Sequence, residues 1–187
     1  ETRNRFLDII KHEAERMHSL VDDLMSLSRI EALKHEVPTE KVDIIQTCRE
    51  VAGEVSGKAV VEAASEQAFI LGDKSQMAQV VRNLIDNAIK YGAAGEKVIV
   101  KVETADTGWV TIEVVNSGDG IAPEHIPRLT ERFYRVDAGR SRKVGGTGLG
   151  LSIVKHIVER HRGRFDIRSR PGEGATASIM LPAIRSS

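Results

Sequence analysis

Two amides and an ammonium share one helical face of the segment Asn83-Leu84-Ile85-Asp86-Asn87-Ala88-Ile89-Lys90-Tyr91. Asn83, Asn87 and Lys90 fall at i, i+4 and i+7, opposite an apolar face of Val80, Leu84 and Ile85. Amide oxygens can join a Mg²⁺ shell that phosphate and water complete, and a neighbouring Lys can neutralise phosphate charge. Alone, this line also suits an exposed polar face, although Asn is a poor helix former to place there. Gly146-Thr147-Gly148-Leu149-Gly150-Leu151 is a second element with anion chemistry: its glycines let backbone N–H groups approach a ligand, and a helix follows. It is neither a Walker A loop, since no Lys-Ser/Thr follows, nor a dinucleotide fingerprint, since Leu151 stands where the last Gly belongs. A close helix–strand turn would use the same glycines. Asn116-Ser117-Gly118-Asp119-Gly120-Ile121 is the third, a polar side chain at a strand end followed by two glycines; it suits either a ligand approaching the backbone or a simple turn.

These residues need elements to hold them. Residues 1–36 read as one amphipathic helix of roughly 50 Å, with Phe6, Ile10, Met17, Leu20, Leu24 and Leu27 recurring at threes, fours and one seven, and Leu7, Ala14, Val21 and Ile30 on the flank. The spacing near 3.5 suits a coiled coil or bundle, so the stripe needs a partner helix or a second chain. Val37-Pro38-Thr39 stops the helix and forms a hinge. Beyond it, helix is predicted at 44–56, where Cys48 fits as a small core residue, and from an Asp73 N-cap to Tyr91. Strands are predicted at 58–63, 67–71, 96–104 and 109–115, the last two joined by an Asp106-Thr107-Gly108 turn. A short helix near 123–133 and a longer one at 148–161 precede strands at 164–169 and 176–181, which flank Pro171-Gly172-Glu173-Gly174. The Gly-, Pro- and Arg-rich stretch between strand and helix, about 117–146, is unusually long for a loop and reads as a lid.

With 187 residues, 41% of them hydrophobic and 29% charged, the chain has the balance of a folded domain with an appendage. Lys+Arg and Asp+Glu are 27 each, yet residues 118–170 hold twelve basic and six acidic side chains, which favours an anionic partner there. One Cys excludes an internal disulfide framework and a multi-cysteine zinc site. No apolar run approaches the ~20 residues of a membrane span, and no signal peptide is visible. The chain opens on Glu1 inside helical periodicity, so it is expected to be part of something longer.

Taken in order, these elements resemble the catalytic end of a bacterial two-component sensor histidine kinase, of the phosphate-regulon type. Asn83–Tyr91 is similar to the N box, Asn116–Ile121 to the G1 box, Glu131-Arg132-Phe133-Tyr134-Arg135 to the F box and Gly146–Leu151 to the G2 box. Leu20-Val21-Asp22-Asp23-Leu24 and Leu27-Ser28-Arg29-Ile30-Glu31 resemble the second helix of the dimerisation and phosphoacceptor hairpin. The resemblance implies an α/β two-layer sandwich of the gyrase, Hsp90, histidine-kinase and MutL ATP-binding type, a mixed sheet with helices on one face. It implies a division into 1–37, the second hairpin helix, and 38–187, the ATP-binding domain. Implied roles are a Mg²⁺ ligand at Asn87, assisted by Asn83; phosphate contact by Lys90; Tyr91 along the nucleotide; and an adenine amino group donating to Asn116. Gly118 and Gly120 would give the base room, and Ile121 would belong to the same ATP-binding set. Gly146, Thr147, Gly148, Leu149 and Gly150 would form the phosphate-facing turn, with Arg135, and less directly Arg140, Arg142 or Lys143, reaching in from the lid.

Three departures qualify the resemblance. Asn116 stands where Asp is usual, which removes a charge-assisted bond. Thr130 replaces a bulky Phe that would pack the lid. The acceptor motif is absent: His12-Glu13 runs on into Ala14-Glu15-Arg16-Met17, in the register of the second helix, so no catalytic residue is assigned. His12 and His18 read as helix-face residues, and His35, His125, His156 and His161 lack metal-ligand spacing. The expected ligands are ATP and Mg²⁺. The expected partners are a response regulator and, in the full protein, a second copy through the N-terminal helix, with no nucleic acid and no direct membrane contact, in a cytoplasmic portion of a sensor. Alternatives from other classes are a serine kinase or ATPase of the same superfold, and a degenerate nucleotide-binding or scaffold module.

Overall fold

The computed structural model describes residues 2–33, 36–55, 57–105, 107–136 and 146–184. Helix α1 (Thr2–Ala32) leads into β1 (Glu40–Asp43), α2 (Ile44–Glu54), β2 (Ala59–Ala63), β3 (Phe69–Gly72), α3 (Lys74–Tyr91), β4 (Val98–Ala105) and β5 (Trp109–Asn116). A single 3₁₀ turn, Ile126–Arg128, precedes α4 (Gly150–Arg160), β6 (Arg164–Ser169) and β7 (Ala175–Pro182). The main sheet has the order β2-β4-β5-β7-β6, and β1 pairs with β3 in a separate antiparallel ribbon. Within the main sheet β2 and β4 are parallel and the other pairs antiparallel.

Alternation along the strands decides the layering. Val98, Val100 and Val102 of β4, Val110, Ile112 and Val114 of β5, and Ile179 and Leu181 of β7 are buried on one face. Against them pack Ile45, Cys48 and Val51 of α2, Met77, Val80, Leu84 and Ile85 of α3, and Ile153, Ile157 and Val158 of α4. The opposite face carries Lys101, Glu113, Asp166 and Arg168, with Arg168 donating to Glu113 at 3.0 Å. This is the expected mixed sheet with helices on one face. Cys48 is fully buried, and desolvation, reinforced by the Asp43 charge, pushes its thiol up to about 12, so it is chemically quiet in the fold.

Four local expectations needed correction. β1 was not anticipated: four residues are too few for a period-two signal, and Asp43 ends the strand by accepting from Ile45 N at 3.0 Å and Gln46 N at 3.3 Å to cap α2. The helix expected near 123–133 shrinks to the 3₁₀ turn, because Pro123 and Pro127 remove donors and Phe133 adopts a left-handed φ of 63°. Helix α4 starts at Gly150 rather than 148, after Gly148 turns left-handed at φ 75°. The α1 stripe is divided: Leu27 and Ile30, in the core cluster, are 3% and 4% exposed, whereas Ile10 and Met17 are 63% and 69% exposed. Asp106, His35, Arg140, Arg142 and Lys143 lie outside the described residues. No helix among the described residues is long and apolar enough to cross a membrane.

Candidate nucleotide site

The N-terminal half of α3 is fixed by Asp73, which caps it by accepting from Gln76 N at 3.1 Å and from Ser75 Oγ at 2.6 Å. Burial pushes the Asp73 carboxyl up, but these bonds and Arg160 outweigh it and hold it below its ordinary value. Behind the cap, His161 accepts from Asp73 N at 3.0 Å through Nε2 and donates from Nδ1 to Ile157 O at 2.7 Å. This buried imidazole ties the start of α3 to the end of α4.

Those two helices carry the polar centre. Asn83 Nδ2 donates to Gly150 O at 3.3 Å. A Cβ on Gly150 would stand 3.8 Å from Asn83 Cγ and 3.9 Å from Asn87 Nδ2, so both amides face the first residue of α4. Leu149 caps α4 without a side-chain bond, which leaves the positive end of the helix open to an anion. A Cβ on Gly146 would meet the Tyr91 hydroxyl at 3.7 Å, so the glycine loop reaches back over the end of α3.

The loop after β5 closes the other side. Ala93 N donates to Ser117 O at 2.8 Å, and Gly118 passes close under Tyr91 O. Asn116 Nδ2 donates to Ser117 O at 3.0 Å, so the remaining carboxamide oxygen is turned to accept. Sequence reasoning missed what holds this loop. Gly172 N donates to Asp119 O at 2.8 Å, Gly174 N to Gly118 O at 3.0 Å and Ile121 N to Ser169 Oγ at 2.9 Å. The β6–β7 turn is thus laced to the loop. The signal was available as two glycines, Gly172 and Gly174, in a four-residue turn.

Other contacts order the lid side. Phe133 N donates to Gly148 O at 2.9 Å, which stacks the expected F and G2 elements. His125 Nδ1 and the Tyr134 hydroxyl are 2.7 Å apart, and Arg128 lies 4.2 Å over the Tyr134 ring. Among the described residues, Nε and Nη2 of Arg135 are buried with no hydrogen-bond partner, two donors that an anion would satisfy. Thr130 lines a groove of about 260 Å³ with Lys155, Glu159, Gly163, Arg164 and Phe165, in the place where a phenyl ring was expected. A larger groove of about 520 Å³, lined by Ser65, Phe69, Thr104, Gly108 and Ile184, shares none of the residues of the polar centre.

Among the described residues, no group of three or more His, Cys, Asp and Glu side chains could hold a metal ion. The donors present are the Asn83 and Asn87 amides, neutral hard oxygens that fit Mg²⁺ only when anionic ligand oxygens complete the shell.

A mixed sheet, a paired-amide helix and a glycine loop at an open helix N-terminus define an ATP-binding sandwich. The family description "Histidine kinase-, DNA gyrase B-, and HSP90-like ATPase" matches residues 72–185. The chain belongs to this family. It is 38% identical to sensor protein kinase WalK of Staphylococcus saprophyticus, over 97% of this chain and 31% of that protein. It is 34% identical to the phosphate regulon sensor protein PhoR of Pseudomonas aeruginosa, over 92% of this chain and 40% of that protein. The solved structure of full-length ShkA in complex with AMPPNP superposes with a TM-score of 0.81 at 26% identity, covering 100% of this chain and 40% of that one. The chain spans only about a third to two fifths of the length of these curated relatives.

Proposed function

We propose that the chain binds Mg-ATP between α3, α4 and the loop after β5, and that the whole protein moves the γ-phosphoryl group to a histidine and then to an Asp of a response regulator. The observation that carries this reading is the convergence of Asn83 and Asn87 on Gly150, at the open N-terminus of α4. Mg²⁺, when bound, would supply neutralisation of the phosphate charge during transfer. Asn87 and Asn83 would hold the ion by their amide oxygens. Lys90 and Arg135 would bind the phosphates, and the amides of 146–150 would line them. Asn116 would accept from the adenine amine, with Gly118, Gly120 and Ile121 beside the base and Tyr91 along the nucleotide. Positioning and charge neutralisation are then the whole contribution of these residues to catalysis. In this reading residues 1–37 belong to a dimerisation hairpin and 38–187 to the ATP domain, on the cytoplasmic side where ATP is available.

Calorimetric titration with ATP and ADP, with and without Mg²⁺, tests the reading. Mg²⁺-dependent binding is expected, at least about tenfold weaker in Asn87→Ala, which corresponds to roughly 1.4 kcal/mol. Asn116→Asp is expected to tighten ATP severalfold by restoring a charge-assisted bond. No binding by the folded chain would favour the degenerate module, for which Asn116 and the groove beside Thr130 are the supporting observations. Labelled ATP is expected to leave His12 unmodified, and acid-labile phosphate there would overturn the assignment of α1 as the second hairpin helix.

A further inference from the structure

We propose that the Asp23 carboxylate is an internal competitor for the phosphate corner of this site, so that docking of α1 and binding of a nucleoside triphosphate oppose each other. The proposal rests on the nucleotide reading above.

Asp23 comes from α1, far away in sequence, yet its Oδ2 accepts from Thr147 Oγ1 at 2.6 Å. The same Thr147 oxygen accepts from Leu149 N at 3.2 Å, so the hydroxyl is held with its proton toward the carboxylate. Burial pushes the Asp23 carboxyl up, while the Thr147 bond and the Lys90 charge favour its ionised form. A hydroxyl of the glycine loop, three residues before the uncapped first residue of α4, therefore binds a carboxylate oxygen that the Lys90 charge also favours. These are the groups that would recognise a phosphate oxygen.

The rest of the α1 interface follows the same charge pattern. Glu31 pairs with Arg132 and lies 4.0 Å from His156 Nε2. Arg160 Nε donates to Leu33 O at 3.1 Å. Ser26 and Gln79 exchange bonds at 2.8 and 3.0 Å, over the buried Leu27 and Ile30. Asp22, next in sequence, turns the other way and pairs with His18 at 3.2 Å. One of two adjacent carboxylates thus enters the site and the other stays in solvent. A terminal phosphate carries more charge and more acceptor oxygens than a carboxylate, so it displaces Asp23 and loosens the last turns of α1. By linkage, the docked helix weakens the nucleotide by the same factor. ADP, with fewer phosphate oxygens to offer, competes less.

The test is calorimetric titration of the full 187-residue chain with Mg-AMPPNP and Mg-ADP. Asp23→Asn and Asp23→Ala are expected to tighten AMPPNP by about fivefold or more, and ADP by less. Asp22→Asn, which removes the same charge from solvent, is expected to change neither. Equal affinities in the wild type and both Asp23 variants would overturn the proposal, as would equal tightening by Asp22→Asn. A second readout follows the helix itself. Cysteines replacing Ser26 and Gln79 can be bridged with a short bis-maleimide, and the buried Cys48, its thiol pushed up to about 12, stays out of the reaction. Saturating Mg-AMPPNP is expected to lower the cross-link yield, and the bridged chain to bind AMPPNP at least about fivefold more weakly. A yield indifferent to nucleotide would overturn the proposal. If no folded variant bound nucleotide at all, the nucleotide reading would fall, and this one with it. Binding that ignored Asp23 would remove this proposal alone.

Discussion

Replacing Gly120 with alanine is expected to destabilise the fold by about 3–4 kcal/mol and to abolish measurable ATP binding, and Gly174→Ala should behave alike. A Cβ on Gly120 would stand 1.9 Å from Arg170 O at a left-handed φ of 69°. One on Gly174 would stand 2.0 Å from Asn116 O, with φ at 78°. Both obstacles are backbone atoms, which cannot swing aside as a side chain would. The cost is therefore a left-handed alanine plus a forced separation of the β6–β7 turn from the loop after β5. Gly172 provides the control, with φ at 82° but no atom within 4 Å of its added Cβ. Gly172→Ala should cost only the backbone part, about 1 kcal/mol. Urea unfolding of the three variants separates the two contributions. If Gly120→Ala matched Gly172→Ala, the lacing between loop and turn would not be what holds the loop after β5.

Acid is expected to weaken the fold through His161. Burial, with help from Arg160, lowers its pKa from the ordinary 6.5, against the Ile157 carbonyl and Asp73, which raise it. The folded state keeps the imidazole neutral because Nε2 must accept from Asp73 N. Above pH 6.5 both states are neutral there, and this stability is fully present. As pH falls below that value the unfolded chain takes up the proton first, and stability declines until the folded pKa is reached. His161→Gln should remove the part of the slope below pH 6.5 that this residue causes, at a cost of about 1–3 kcal/mol at pH 8. Denaturant unfolding of wild type and variant across pH 4.5 to 8, those limits chosen about the ordinary His value, checks the sign. An unchanged slope in the variant would assign the acid sensitivity elsewhere.

Most of the sandwich could be read from pattern, because its strands and helices bury one face each. Val98, Val100 and Val102 alternate, and Met77, Val80, Val81, Leu84 and Ile85 keep helical spacing, so period alone places them. Asp73 was readable as a cap because its side chain acts on the next turn. The polar centre was readable in pieces, and the structure joins Asn83 and Asn87 to Gly150, and Tyr91 to Gly146. The lacing of Gly172, Gly174 and Ser169 to the loop after β5 was only half readable: the two glycines signal a turn, but nothing in residue type names the backbone groups it bonds to. Nor was the inward turn of Asp23, which differs from Asp22 only in helical phase. The residues of β1 gave no sign of pairing because their partner strand lies beyond α2.

The order of the sheet bears on how the chain acquires its competence during synthesis. Strand β7 lies between β5 and β6, and it is made after both. Every residue of the four sequence boxes has been added by Leu151, before β6 begins. At that moment β5 has a bare inner edge, and the loop beyond Asn116 has no turn to lace against. A nascent chain halted before Arg164 would hold all four boxes and none of the clamp. Capture of nucleotide thus becomes a signal that the C-terminal hairpin has been inserted.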